Sequence, residues 1–151
     1  MRLDQLLSQI GLYFDHASGV DIRDLTLDSR QVTEGSLFIA IQGSETHGMT
    51  FVDQAIANGA AAILYDAWGG DVPRHVPALH VTGLQAQIGP LAHAFYGHPC
   101  QAMRVIGVTG TNGKTTTVHL IAQLADTLGL KAARIGTLGI SIGPEKLVDS
   151  D

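Results

Sequence analysis

Cysteine is almost absent from this 151-residue chain, and long apolar runs are missing altogether. The single cysteine, Cys100, excludes an intrachain disulfide and fits a protein of the reducing cytoplasm. No apolar run approaches the ~20 residues that a membrane-spanning helix needs. Residues 1–5 also lack the continuous apolar core of a secretory signal. We therefore expect a cytoplasmic protein that is not inserted in a membrane.

Positive charge is scarce as well, with 9 Lys and Arg against 14 Asp and Glu. Residues 1–98 contain four basic and ten acidic residues, a net charge of −6. Residues 99–151 contain five basic and four acidic residues, a net charge of +1. Because no basic stripe is present, the charge pattern argues against a nucleic-acid partner. The small excess of positive charge in residues 99–151 is compatible with the binding of an anionic nucleotide.

Apolar residues occur in short runs of strand length and, between these runs, at helical spacing. Together the two patterns predict an α/β fold with a parallel sheet. Pro90 lies inside the last helical stretch, where we expect it to kink the helix or delay its start. We predict an N-terminal domain at residues 1–98 and the incomplete start of a second α/β domain at residues 99–151. The runs of strand length lie at 25–27, 37–41, 61–65, 78–81, 105–108 and 132–135, and the helical stretches at 3–10, 51–58, 84–95 and 115–128.

A glycine-rich segment of the second domain has the features of a phosphate-binding loop. It lies between the predicted strand at 105–108 and the predicted helix, and its glycines permit tight turns. Such a loop presents backbone amides and a helix N-terminus to an anion, and Lys114 adds a full positive charge. The hydroxyl of Thr115 stands where these loops offer a Mg²⁺ ligand. Val108 replaces the first glycine of the strict pattern, and a glycine-rich turn before an ordinary helix is the alternative interpretation.

The loop sequence Gly110-Thr111-Asn112-Gly113-Lys114-Thr115-Thr116 resembles the ATP loop of the Mur ligases. These ATP-dependent enzymes form amide bonds in peptidoglycan precursor synthesis, although folylpolyglutamate and cyanophycin synthetases share the loop. Residues 25–30 and 35–40 are similar to the uridine-nucleotide-binding domain of the members that add the third residue or the final dipeptide. Residues 95–99 and 134–139 are similar to the MurE-type members, which form the tripeptide.

The resemblance implies an N-terminal uridine-nucleotide-binding α/β domain followed by the truncated start of a P-loop α/β ATPase domain. The complete protein would be a monomeric ligase that uses ATP and Mg²⁺. It would add diaminopimelate or lysine to UDP-N-acetylmuramoyl-L-alanyl-D-glutamate through an acyl phosphate. We expect the fragment alone to be inactive, because the amine site and most metal ligands would lie beyond Asp151.

The resemblance also implies roles for individual residues. Lys114 would be catalytic by neutralising charge on the β- and γ-phosphates, and Thr115 would be a metal ligand. Thr116 would support the α-phosphate side of the loop. The implied ATP-binding residues are Gly110, Thr111, Asn112, Gly113, Lys114, Thr115 and Thr116, and the implied substrate-binding residues are Leu27, Ser29, Arg30, Ser44, Glu45 and Thr46.

Other interpretations stay open. Asp28 and Arg30 would form a turn-stabilising pair without any ligand, with Ser29 as a turn former. The ligase that adds the D-Ala-D-Ala dipeptide is an alternative function, as are a non-catalytic UDP-sugar-binding module and a P-loop kinase. We interpret His119, on the predicted helix after the loop, as a surface or packing residue.

Overall fold

The computed structural model describes residues 1–148 of the chain, so that the last three positions of the predicted second domain lie outside the described residues. The chain divides into two compact units, Met1–Met103 and Arg104–Asp151. The first unit contains α1 (Leu3–Gln9), β1 (Asp24–Thr26), β2 (Ser36–Ala40), α2 (Val52–Ala57), β3 (Ala62–Tyr65), β4 (Ala78–His80) and α3 (Leu84–Phe95). The second contains α4 (Lys114–Thr127), β5 (Ala133–Gly136), β6 (Gly139–Ile142) and β7 (Glu145–Val148).

A four-stranded parallel sheet in the order β1-β2-β3-β4 forms the centre of the first unit. All five residues of β2 are buried, as a parallel strand covered on both faces requires. The predicted α/β class is therefore confirmed. Helix α3 begins at Leu84 and runs through Pro90, so the proline does not delay its start.

Alternate residues of β2 supply the two cores of this unit. Leu37 and Ile39 pack in a cluster with buried leucines of α1 and α3. Phe38 and Ala40 face the other side, where Met49 and residues of α2 cover them. The continuous apolar sequence of β2 is explained by this two-sided burial.

The second unit departs from the prediction in its strands. Residues 105–108 form no strand, because no strand among residues 1–148 pairs with them. Val105 and Ile106 are consequently exposed, at 74% and 63%. The run predicted at 132–135 becomes β5, but it pairs antiparallel with β6, and β6 pairs antiparallel with β7. Our prediction of a strand–helix–strand unit was therefore wrong, and the structure has a helix followed by an antiparallel meander.

Candidate functional site

The glycine-rich loop of the second unit leads directly into α4. Gly113 takes a left-handed conformation (φ +76°) at the helix N-cap, and Gly110 also has positive φ. The first backbone hydrogen bond of the helix runs from the Thr117 amide to the Gly113 carbonyl, at 2.9 Å. The amides that precede Thr117 therefore have no acceptor within the helix. They stand at the positive end of the helix dipole, where an anion binds most readily.

Lys114 folds back over the same loop. Its Nζ donates to the Gly110 carbonyl and, at 3.3 Å, to the Thr111 carbonyl. The ammonium group therefore lies above the loop whose amides are open, and it is exposed. A phosphate that enters the loop would replace these two contacts with neutral carbonyls by a contact between opposite charges, which is stronger.

A cavity of about 500 Å³ adjoins this loop and is formed entirely within the second unit. Lys114 and Thr115 line one part of it, and the turn between β5 and β6 lines another. The Thr115 hydroxyl lies 3.4 Å from the Thr137 hydroxyl of that turn. Arg134 of β5 also lines the cavity and contacts His119 of α4, which was predicted only as a surface or packing residue.

A second cavity, of about 620 Å³, lies in the first unit at the carboxyl ends of β1 and β2. Ligands commonly bind at this edge of a parallel sheet, because the loops that follow neighbouring strands meet there. The structure brings all six predicted substrate-binding residues together in the lining of this one cavity: Leu27, Ser29, Arg30, Ser44, Glu45 and Thr46.

Two further residues of this lining, Phe51 and Gln54, were missed by the sequence analysis. Gln54 accepts a hydrogen bond from the Ser29 hydroxyl at 2.8 Å, although 25 positions separate the two residues. Phe51 is 46% exposed and Leu27 is 50% exposed, so the cavity presents two apolar side chains to solvent. A phenylalanine directly after the polar loop that follows β2 was the available signal.

The Asp28–Arg30 pair stabilises the turn after β1. Asp28 accepts from the Arg30 amide at 2.9 Å, and its carboxylate forms an ion pair with the guanidinium at 2.7 Å. The hydrogen bonds from the Arg30 side chain, and then from its backbone, lower the pKa of Asp28 to about 2. The turn-stabilising interpretation of these two residues therefore describes the structure, in which Arg30 nevertheless lines the cavity.

His47 fixes the loop that carries Ser44, Glu45 and Thr46. Its Nδ1 accepts from the Met49 amide at 3.1 Å, so Nε2 is the protonated nitrogen that donates to Asp66 at 3.0 Å. The ring is only 7% exposed and contacts the Trp68 ring at a centroid distance of 5.2 Å. The loop is thereby attached to the carboxyl end of β3.

Residues 1–148 contain neither a preformed metal-ion cluster nor a membrane-spanning helix. Within that range, no group of three or more His, Cys, Asp or Glu side chains is arranged to hold a metal ion. None of the helices described there is long and apolar enough to cross a membrane.

Both units match models of one protein family. Residues 21–96 match the Mur ligase family catalytic domain, and residues 108–150 match the Mur ligase middle domain. The chain is 48% identical over 143 residues to the UDP-N-acetylmuramoyl-L-alanyl-D-glutamate--2,6-diaminopimelate ligase of Xanthomonas campestris pv. campestris. That match covers 94% of this chain and 28% of the relative, so the chain spans less than a third of the relative's length.

Solved structures give the same result. A solved UDP-N-acetylmuramoyl-L-alanyl-D-glutamate--2,6-diaminopimelate ligase is 32% identical, with a TM-score of 0.65 over 83% of this chain and 26% of that one. The MurF ligase of Thermotoga maritima in complex with ADP is 29% identical, with a TM-score of 0.55 over 73% of this chain and 25% of that one. The predicted resemblance is confirmed, and the chain belongs to the Mur ligase family.

Proposed function

We propose that this chain is the N-terminal part of an ATP-dependent ligase that adds the third amino acid to UDP-N-acetylmuramoyl-L-alanyl-D-glutamate. The observation that carries the proposal is the open glycine loop at the start of α4, with Lys114 above it, in a chain of this family. The name of the 48% identical relative favours 2,6-diaminopimelate as the added amino acid. The D-Ala-D-Ala-adding ligase is the weaker alternative, because the MurF ligase is only 29% identical.

The loop fits the phosphates of ATP. Its open amides and the Lys114 ammonium provide hydrogen-bond donors and positive charge, and no acidic side chain within residues 1–148 lines the adjoining cavity. ATP would supply the phosphoryl group that converts the substrate carboxylate into an acyl phosphate, which the amine then attacks. The residues of the loop would bind and orient the phosphates and stabilise the charge that shifts toward ADP. Thr115 would provide a neutral oxygen ligand for Mg²⁺, as such hydroxyls do.

The cavity of the first unit fits the uridine end of the other substrate. Leu27 and Phe51 would contact the base, because they offer exposed apolar surface at its rim. The Ser29 hydroxyl, which donates to Gln54, could exchange that bond for one with the ligand. Arg30 would approach the diphosphate.

The proposal is tested by measuring the affinities for ADP and for UDP by calorimetry. The unsubstituted chain is compared with two site variants and one control variant. Lys114→Ala should weaken ADP binding and leave UDP binding unchanged. Ser29→Ala should weaken UDP binding and leave ADP binding unchanged. Lys131→Ala removes an exposed lysine of the second unit and serves as the control.

In the complete ligase, Lys114→Ala should lower kcat by about 10²–10³, by analogy with the loss of one preorganised donor. Lys114→Arg should also be poor, because a planar guanidinium does not replace a compact ammonium. Turnover near the normal rate in Lys114→Ala would show that this loop is not the phosphate site.

A further inference from the structure

Arg134 is a positive charge that has hydrogen bonds but no acidic partner among residues 1–148. Its Nη1 donates to His119 Nδ1 at 2.6 Å, its Nε to the Ser141 hydroxyl at 3.0 Å and its Nη2 to the Gly143 carbonyl at 3.1 Å. None of the ion pairs found in this range includes Arg134. A partly buried charge is costly unless a counter-charge accompanies it.

All three partners are neutral. A guanidinium group can only donate, so His119 must accept at Nδ1 and carries its hydrogen on Nε2. The three bonds come from α4, from β6 and from the turn after β6, so they fix the guanidinium plane from different directions. Within residues 1–148 they use three of the five N–H groups that an arginine offers, and two remain for a ligand.

The position of Arg134 indicates what that ligand is. The cavity lined by Arg134 is also lined by Lys114, and among residues 1–148 no aspartate or glutamate lines it. His119 lies five residues after Lys114, about 7.5 Å along the helix axis at 1.5 Å per residue. Arg134 therefore lies beside the flank of α4, separate from the amides at its N-terminus.

We propose that Arg134 forms a second oxyanion subsite in this cavity and that His119 positions its guanidinium. The inference rests on the proposed ligase function, whose substrates include two oxyanions that a cation in addition to Lys114 would bind. These are the terminal phosphate of ATP and the carboxylate that is activated. A fixed guanidinium with two remaining N–H groups can donate charge-assisted hydrogen bonds to either one.

The test compares three probes by calorimetry on the 151-residue chain: ADP, the β,γ-imido analogue of ATP, and glutarate added at saturating ADP. Arg134→Gln should leave ADP affinity unchanged, which also shows that the loop is still folded. A loss of about 10- to 100-fold for the imido analogue would assign the terminal phosphate to the subsite. The same loss for glutarate would assign the carboxylate. Arg104→Gln is the control, because it removes an exposed arginine of the same unit.

His119 provides a second, independent pair of variants. His119→Asn keeps an acceptor near the position of Nδ1 and should retain most of the affinity for the responding probe. His119→Leu removes the acceptor and should lose part of it, with ADP affinity unchanged.

The result that overturns the subsite is an Arg134→Gln protein that behaves as Arg104→Gln does with every probe while ADP still binds. A failure of the proposed function looks different, since the unsubstituted chain would then bind neither ADP nor the imido analogue. In that case glutarate is titrated without ADP, and binding that still depends on Arg134 would support the subsite alone.

Discussion

Gly48 lies where the loop after β2 returns against the strand, and replacing it with alanine should destabilise the first unit. A Cβ at this position would be 2.8 Å from Ala40 Cα and 3.2 Å from the Ala40 carbonyl carbon. Ordinary contact begins near 3.4 Å, so the two backbones must separate by about 0.6 Å. The hydrogen bond from the Gly48 amide to the Ile41 carbonyl, 2.8 Å long, would be strained by that movement.

Overpacking of this kind costs about 1–3 kcal/mol, and loss of the hydrogen bond adds about 1 kcal/mol. We therefore expect the free energy of unfolding to fall by about 2–4 kcal/mol. Urea unfolding followed by the fluorescence of Trp68, the only tryptophan of the chain, measures it. The control is Gly89→Ala within α3, where the added Cβ would have no atom within 4 Å apart from its chain neighbours and the nearby backbone of its own helix. This helical substitution should stabilise the protein by up to about 1 kcal/mol. Equal urea midpoints for Gly48→Ala and the unsubstituted protein would refute the close approach.

Three further predictions concern charge, burial and the division of the chain. The pKa of Asp28 is lowered from 3.8 to about 2, so its contribution to stability is present above about pH 4 and is lost as the pH falls toward 2. In Asp28→Asn the free energy of unfolding should therefore depend less on pH between about 4 and 2. The same pH dependence in both proteins would contradict this. Leu91→Ala should lower the free energy of unfolding by about 2–5 kcal/mol, because Leu91 is fully buried. Leu124 is 67% exposed, so Leu124→Ala should change it by less than about 0.5 kcal/mol. Similar losses in the two variants would be evidence against the described burial. Limited proteolysis should cleave first within residues 97–151, where large apolar side chains are exposed. Cleavage at equal rates in residues 1–96 and 97–151 would contradict this.

The fold of the first unit was predictable because local pattern and tertiary environment agree there. The run 37–41 has the length and composition of a buried strand, and helices do cover both faces of β2. Residues 105–108 have the same local pattern but no strand beside them among the described residues. A strand exists only when a neighbour accepts its hydrogen bonds, and the pattern of one segment carries no information about that neighbour.

The meander of the second unit had a signal that the sequence analysis did not use. Ile140 and Ile142 alternate with Ser141, and Gly143-Pro144 is a turn dipeptide. These features are typical of an antiparallel hairpin, which β6 and β7 form with a register shift between Ile140 and Ser141.

The two sites differ in how far motifs could predict them. The glycine loop is contiguous, so one motif specifies all of its residues. The contact between Arg134 and His119 joins residues 15 positions apart, and that between Ser29 and Gln54 joins residues 25 positions apart. No local pattern specifies such pairs, because each depends on the way separate elements pack. The roles of all these residues in binding stay predictions until the titrations are made.

The charges of the two cavities favour the proposed distribution of ligands between them. Lys114 and Arg134 line the cavity of the second unit, and no carboxylate of the described residues does. The cavity of the first unit is lined by Arg30 together with Asp28 and Glu45, and the low pKa of Asp28 keeps its carboxylate charged at neutral pH. A triphosphate therefore has its favourable partner in the second unit, where both fixed charges attract it. In the first unit a diphosphate must compete with Asp28 for Arg30. A uridine ligand would thus be held there mainly through its base and ribose, by neutral polar and apolar groups.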